Sequence, residues 1–369
     1  MPVRLLLSST ALLLAVATTS ADARAGDEAS ALARRGTAAI ESQRFGDALD
    51  AFTRAAAMQP RDAGLCFGAG VAAFMLGQDE VAQTRLECAL ALDPGHLPAA
   101  VWLGDLHYRA GRLHEAIAIY ETARTGSPDR RDLEDQLATW RRERELQGRF
   151  HEVRSEHFAA LFEADSDAPF ARDVLARLET SYRRVGALLG VYPSRAITVV
   201  LYTREQFSDV TRLADWSVAA YDGRIRVPLG DGLRDPAELD RVLSHEFVHA
   251  LVAAVGGRTV PAWLNEGLAT VLEPAGTQDA GATLDRSEPQ PALSRLHRSF
   301  VSLSRRDAES AYASAARAVG RLIDQHGASA VVALLEDLAR GRPFATAFQQ
   351  RLAIRYERFA EGMARGDER

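Results

Sequence analysis

Hydrophobic and polar positions change their rhythm twice along the 369 residues. The chain opens with Arg4 and an uncharged run from Leu5 to Ala17, followed by Thr18, Thr19, Ser20 and the small-x-small exit Ala21, Asp22, Ala23. A basic start, a short apolar stretch and an A-x-A exit form the pattern of a secretory signal peptide, here predicted over residues 1–23. The run falls short of the roughly 20 apolar residues that a membrane helix needs. An exported protein, periplasmic or secreted, with no membrane span after signal cleavage is therefore expected.

The next third of the chain repeats itself. An offset of 34 residues aligns Gly36, Gly70 and Gly104, then Ala48, Ala82 and Ala116, then Phe52, Leu86 and Tyr120. The same offset aligns Ala55, Ala89 and Ala123, and finally Pro60, Pro94 and Pro128. Small residues where two helices approach, a bulky residue facing them and a proline to stop the second helix resemble the tetratricopeptide repeat. Each helix pair exposes an apolar face that only the next pair can cover, so three tandem copies can bury a core. Gly77 and Gly111 fall at the turn inside the later copies, where the first copy has Gln43. Residues 130–148 read as one further helix with Leu133, Leu137 and Trp140 on one face, a cap whose charge run is taken as solvated surface. The resemblance implies an α-helical solenoid over residues 29–148 that binds a protein partner or substrate.

From residue 151 the rhythm shortens. His157–Glu163 and Ile197–Tyr202 read as strands flanking a helix from Pro169 to Leu189, with Phe170, Val174, Leu178, Tyr182 and Val185 at helical spacing and Gly190 to end it. Gly223–Val227 alternates and then meets Pro228, which favours a sheet edge. Amphipathic helices near residues 307–326, 328–339 and 344–363 close the chain, and Glu273–Ser294 reads as a loop near the cleft. Strands followed by several helices indicate an α+β domain over residues 151–369.

Composition narrows the classes. An apolar share of 47% with 25% charged residues is ordinary globular composition, and a chain of 369 residues favours two domains. The net charge of -6 gives no footprint for a phosphate backbone, so nucleic acid is not expected as a partner. Cys66 and Cys88 sit on neighbouring predicted helices; the sequence leaves their pairing open, leaning against it.

The chemistry gathers on the helix that Asp235, Pro236 and Glu238 introduce as N-cap, first-turn proline and capping-box acid. In its middle stands His245-Glu246-Phe247-Val248-His249, the pattern H-E-x-x-H. Spacing of i and i+4 puts both imidazoles on one face, where they can chelate one ion, while Glu246 points aside towards a water. Catalytic zinc usually takes three protein ligands, so a third is sought nearby. The metzincin pattern would need Gly at 252 and His at 255, where Val252 and Val255 stand. Instead Pro261-Ala262-Trp263-Leu264-Asn265-Glu266-Gly267-Leu268-Ala269 starts a second short helix.

The paired runs LSHEFVHALV and PAWLNEGLA resemble the gluzincin metallopeptidases, and more closely the peptidase MA-like domain often attached to tetratricopeptide repeats. The resemblance implies a zincin-like fold, a Zn2+ cofactor held by His245, His249 and Glu266, Glu246 as catalytic acid/base, and Asn265 behind the ligands. It also implies an oxyanion donor downstream. Tyr312 is the candidate, with His297 and Tyr221 as competitors, and the edge strand after Tyr221 is a candidate bed for an extended peptide. The reading is an exported zinc-dependent peptidase acting on a peptide or protein substrate. The alternatives are a non-catalytic repeat adaptor of the cell envelope with a degenerate peptidase-like domain, and a zinc hydrolase of a non-peptide ester or amide.

Overall fold

The computed structural model of the protein describes residues 10–211, 220–229, 235–274, 291–297, 299–300 and 303–365. Residues 1–9 of the expected signal segment, and 275–290 of the expected loop, lie outside the described residues. Among the described residues no helix is long and apolar enough to cross a membrane.

Seven helices come first: α1 (Thr10–Glu41), α2 (Phe45–Met58), α3 (Ala63–Met75), α4 (Asp79–Leu92), α5 (Leu97–Arg109), α6 (Leu113–Gly126) and α7 (Arg131–Gln147). They pack as consecutive pairs, α1 on α2, α3 on α4 and α5 on α6, with α7 against α6. The recurring residues are those that let the pairs close. A side chain at Gly36, Gly70 or Gly104 would overlap Phe52, Leu86 and Tyr120 respectively, so in each copy the glycine makes room for the bulky residue of its own partner helix. Ala48, Ala82, Ala116, Ala55 and Ala89 are fully buried at the same contacts.

Two expectations change here. Cys66 and Cys88 form a disulfide, because the packing of α3 on α4 brings their Cα atoms to 6.0 Å, within bridging range. The last helix is also more than a wet cap. Glu143 on α7 is fully buried, and Leu146 and Phe150 pack with Val200, Tyr202, Phe207 and Val210 of the second domain.

That domain holds a five-stranded sheet built from β1 (His151–Arg154), β2 (Phe158–Phe162), β3 (Ile197–Thr203), β4 (Ala220–Tyr221) and β5 (Ile225–Leu229), in the order β1-β2-β3-β5-β4. β2, β3 and β5 run parallel, while β1 and β4 pair antiparallel at the two edges. β5 is therefore not the edge that Pro228 suggested. The two-residue β4 covers Ile225 and Arg226, and Pro228 pairs in register with Tyr202 on the other side.

Helices α8 (Ala168–Leu189) and α10 (Pro236–Gly256) pack beneath the sheet, and α9 (Arg204–Thr211) lies against β3 and β5. Gly190 ends α8 with φ 70°, the left-handed cap that glycine takes freely. Val199, Leu201, Ile225 and Val227 of the sheet join Val174, Leu178, Leu243 and Phe247 in one core. Among the described residues five more helices complete it: α11 (Ala262–Val271), α12 (Arg305–His326), α13 (Ala328–Ala339), and then α14 (Phe344–Leu352) and α15 (Tyr356–Arg365) where one helix was expected. The chain breaks between the last two at Ala353, whose φ is 54°.

Candidate metal centre

Helix α10 begins where Asp235 accepts a hydrogen bond from the Ala237 amide, one of the otherwise unpaired first-turn donors. Glu238 does not close the capping box; its carboxylate takes two hydrogen bonds from Arg241 instead. Leu239, Val242, Leu243, Phe247 and Leu251 turn into the core. That leaves His245 and His249 one turn apart on a less covered face, their rings 4.8 Å apart and nearly perpendicular. Helix α11, entered through Pro261, runs close to α12 because Gly267 has no side chain to meet the Ala315 carbonyl and Val319. This packing sets Glu266 opposite the two imidazoles.

Oε2 of Glu266 lies 3.3 Å from Nε2 of His249 and 3.6 Å from Nε2 of His245. Donor atoms around a tetrahedral zinc with bonds of about 2.0–2.1 Å stand roughly 3.3–3.4 Å from one another, so the spacing suits such an ion. One ligand atom from each of the three residues lies within 4.8 Å of the others. Several polar atoms of this cluster are buried with no hydrogen-bond partner among the described residues: Oε2 of Glu246, Nδ1 of His249, Oδ1 of Asn265 and Oε2 of Glu266. Buried polar groups are nearly always paired, and four orphans in one cluster mark a place that fits a group from outside the chain.

Electrostatics agree with the geometry. Burial acts to lower the basicity of His245, but the carboxylates of Glu266 and Glu273 outweigh it and hold the imidazole at about 10. Burial would likewise raise Glu266, yet His249 and His245 keep its carboxyl well below the ordinary range. A proton on an imidazole and a cation at this cluster would compete for the same electrostatic place. Glu246 goes the other way, raised by burial against the pull of His249 and His245, which suits a group that must accept a proton.

Tyr312 on α12 stands beside this cluster, its ring 6.2 Å from that of His245. Burial raises its hydroxyl, and so do the charges of Glu266, Glu246 and Glu273. The competitors have other partners. His297 meets the hydroxyl of Tyr356 at 2.7 Å and packs on Phe344. Tyr221 is raised by burial and feels Arg258, Asp222, Arg109 and Asp79, groups at the contact with the repeats. Oδ1 of Asn265, expected behind the ligands, is buried with no hydrogen-bond partner among the described residues.

The support for His245 comes from a residue that the sequence reading passed over. Nδ1 of His245 lies 2.9 Å from Oε1 of Glu273, a nearly buried carboxylate that Arg241 also approaches at 3.4 Å. Such a carboxylate fixes the tautomer so that Nε2 is free to bind a metal. A signal existed: Glu273 stands seven residues after Glu266, just past the end of α11 and within reach of the same cluster.

Residues 33–82 and 78–131 match the tetratricopeptide repeat family, so this stretch of the chain holds repeats of that kind. Solved structures similar to the chain include the first tetratricopeptide domain of Spaghetti (RPAP3) bound to the HSP90 peptide SRMEEVD. It is 21% identical, covering 32% of this chain and 95% of that one, with a TM-score of 0.32. The first such domain of human RPAP3 gives 21% identity, 32% and 94% coverage and a TM-score of 0.31. An O-GlcNAc transferase mutant from Thermobaculum terrenum gives 22% identity, 49% and 32% coverage and a TM-score of 0.30. No curated protein matches the chain.

Proposed function

We propose that the protein is an exported zinc-dependent peptidase of gluzincin type, with its repeats serving protein–protein interaction. The carrying observation is the half-buried convergence of His245, His249 and Glu266 beside the unpartnered Oε2 of Glu246. His245, His249 and Glu266 would hold the ion. A bound zinc supplies Lewis acidity, activating water and polarising a carbonyl. Glu246 is the group that takes a proton from the attacking water and returns it to the departing amine. Glu273 holds His245 in one tautomer. Tyr312, on the same side of the cluster, is the candidate donor to the developing oxyanion.

A second reading has its own support. The family match falls wholly within the repeats, and a repeat domain similar to this one was solved with a bound peptide. On that reading the protein is a cell-envelope adaptor that binds a partner and no longer turns over substrate.

Zinc analysis of the purified protein, paired with hydrolysis of fluorescein-labelled casein, separates the two. One zinc per chain, and a Glu246→Gln variant that keeps it while losing about 10²–10⁴-fold in rate, is the expected result. Zinc without hydrolysis in the wild type supports the adaptor. Absence of stoichiometric zinc sinks both the site and the peptidase. Export is checked separately, by N-terminal sequencing of secreted material, which is expected to begin at Arg24.

A further inference from the structure

The repeats touch the second domain through one edge, turn after turn. In the first repeat Gly46 lies directly against Gly341, between α13 and α14. In the second, Gly77 meets Gly257 at the end of the metal helix α10. Next to it the guanidinium of Arg258 pairs with Asp79 at 2.6 Å, donates to the Phe74 carbonyl at 2.9 Å and stands 4.2 Å over the Phe74 ring. In the third, the backbone of Arg109 lies against Gly223, in the hairpin joining β4 to β5. Each repeat thus meets the second domain at, or within three residues of, its inner turn.

The third contact continues into a buried charge network. Glu143 of α7 is 0% exposed, Arg226 of β5 1% and Arg224 3%. Nη1 of Arg226 donates to Glu143 at 3.1 Å and to the Tyr202 hydroxyl at 2.7 Å, and its Nη2 donates to the Tyr108 hydroxyl at 2.7 Å. Tyr108 in turn donates to Oε2 of Glu143 at 2.8 Å, and Arg224 approaches the other carboxylate oxygen at 3.0 Å. Nε of Arg226 donates at 2.9 Å to Asp222 in the hairpin. β4 and β5 pack on α10, and the charge of Asp222 acts on Glu246. A continuous chain of polar contacts therefore runs from the repeat helices to the strand pair beside the metal cluster.

Buried charges of this kind are costly without partners, so the two halves cannot part without stranding Arg226 and Glu143. We propose that the repeat array is a fixed wall of the metal cleft, in which Glu143 and Tyr108 are positioning residues that hold the β4–β5 hairpin against α10 and so set where a substrate chain lies. The part concerning substrate rests on the peptidase reading; the fixed wall does not.

The test uses the full-length protein and two variants, Glu143→Gln and the milder Tyr108→Phe, which loses one hydroxyl and keeps every charge. Hydrogen exchange is followed at residues 220–229, with α12 and α13 as reference. Loss of a charge-linked hydrogen bond is expected to speed hairpin exchange about tenfold, leaving the reference helices and the zinc content unchanged. For casein hydrolysis, KM should rise about tenfold with kcat within about twofold, the pattern of lost substrate placement. Unchanged hairpin protection in Tyr108→Phe, or loosening spread equally through α12 and α13, overturns the proposal. If Glu143→Gln does not fold, Tyr108→Phe alone decides. A zinc-bound wild type that leaves casein intact removes the peptidase reading, while the exchange result still judges the wall.

Discussion

Glu143 and Glu246 are both buried acids on helices, and their surroundings could hardly differ more. Both oxygens of Glu143 are occupied, Oε2 by Tyr108 and Oε1 by Arg226, Tyr202 and Gln147. Glu246 keeps Oε2 bare, within a cluster that leaves His249, Asn265 and Glu266 similarly underused. A saturated carboxylate holds elements together, since any loosening costs its hydrogen bonds. An unsaturated one costs stability where it stands, and its persistence points to work done on something that arrives from outside. Glu143 and Glu246 thus separate structural from chemical burial within one molecule, a contrast that holds for the two carboxylates and not for every group around them, since Nε of Arg224 beside Glu143 also has no hydrogen-bond partner among the described residues.

Breaking that contrast should give opposite signs in one assay. Glu143→Gln strands two buried guanidinium groups and is expected to destabilise by about 3–5 kcal/mol, a fall in Tm on the order of 10 °C by calorimetry. Glu246→Gln, measured without zinc, replaces a buried carboxylate whose Oε2 has no hydrogen-bond partner among the described residues and should leave Tm unchanged or raised. Equal losses in the two variants would erase the distinction.

Glu273 tests the chemical side at a finer grain. It is no ligand, so Glu273→Gln should keep the fold, and zinc affinity should fall about 10–100-fold in a competition titration with a chelating dye. A drop no larger than the error of the titration would reduce its bond to His245 to packing.

The pH response of the metal-free protein sharpens the same point. His245 is held at about 10 in the fold against its ordinary 6.5, after burial is overcome by Glu266 and Glu273. Its raised value contributes stability that is fully present below pH 6.5 and is lost as pH climbs towards 10. Glu266, depressed in the fold, contributes above its ordinary 4.5 and loses that contribution on acidification. Thermal melts of EDTA-treated protein should therefore be highest near pH 4.5–6.5 and decline on the alkaline side. With zinc in place of the proton, the alkaline decline should flatten. Parallel declines with and without zinc would place the ion elsewhere.

The two halves were legible for different reasons. In the repeats, period carries the information: Gly36, Gly70 and Gly104 recur because the same helix crossing recurs, and the match over 33–131 follows the same span. In the second domain a short motif named the residues that the fold then gathers, since i and i+4 on α10 leave few arrangements for His245 and His249. What escaped is what only tertiary contact creates. The pairing of β4 with β5 displaced the edge, and the disulfide depended on the spacing between two helices. Glu143 read as part of a solvated charge run because three of its partners are distant in sequence, Tyr108 by 35 residues within the repeats and Tyr202 and Arg226 by 59 and 83 on the second domain.

One residue lies between these cases, and it carries the smallest effect. Gly77 and Gly111 occupy the inner turn of their repeats with φ 75° and 76°, and Gln43 takes the equivalent place with φ 56°. The first copy therefore adopts the glycine conformation without glycine, so the turn is dictated by the packing of its helices and only eased by the residue. A side chain in this left-handed region costs about 1–2 kcal/mol, offset in part by the greater freedom glycine loses on folding. Gln43→Gly should then stabilise the protein by about 1 kcal/mol, seen as a small rise in Tm. Gly111 has open space around its Cα, so Gly111→Gln applies the same exchange in reverse without a clash and should cost about as much. Shifts of opposite sign and similar size would show that the repeat period at this position records backbone conformation. If neither variant moves Tm, the recurring glycine reflects something other than the turn.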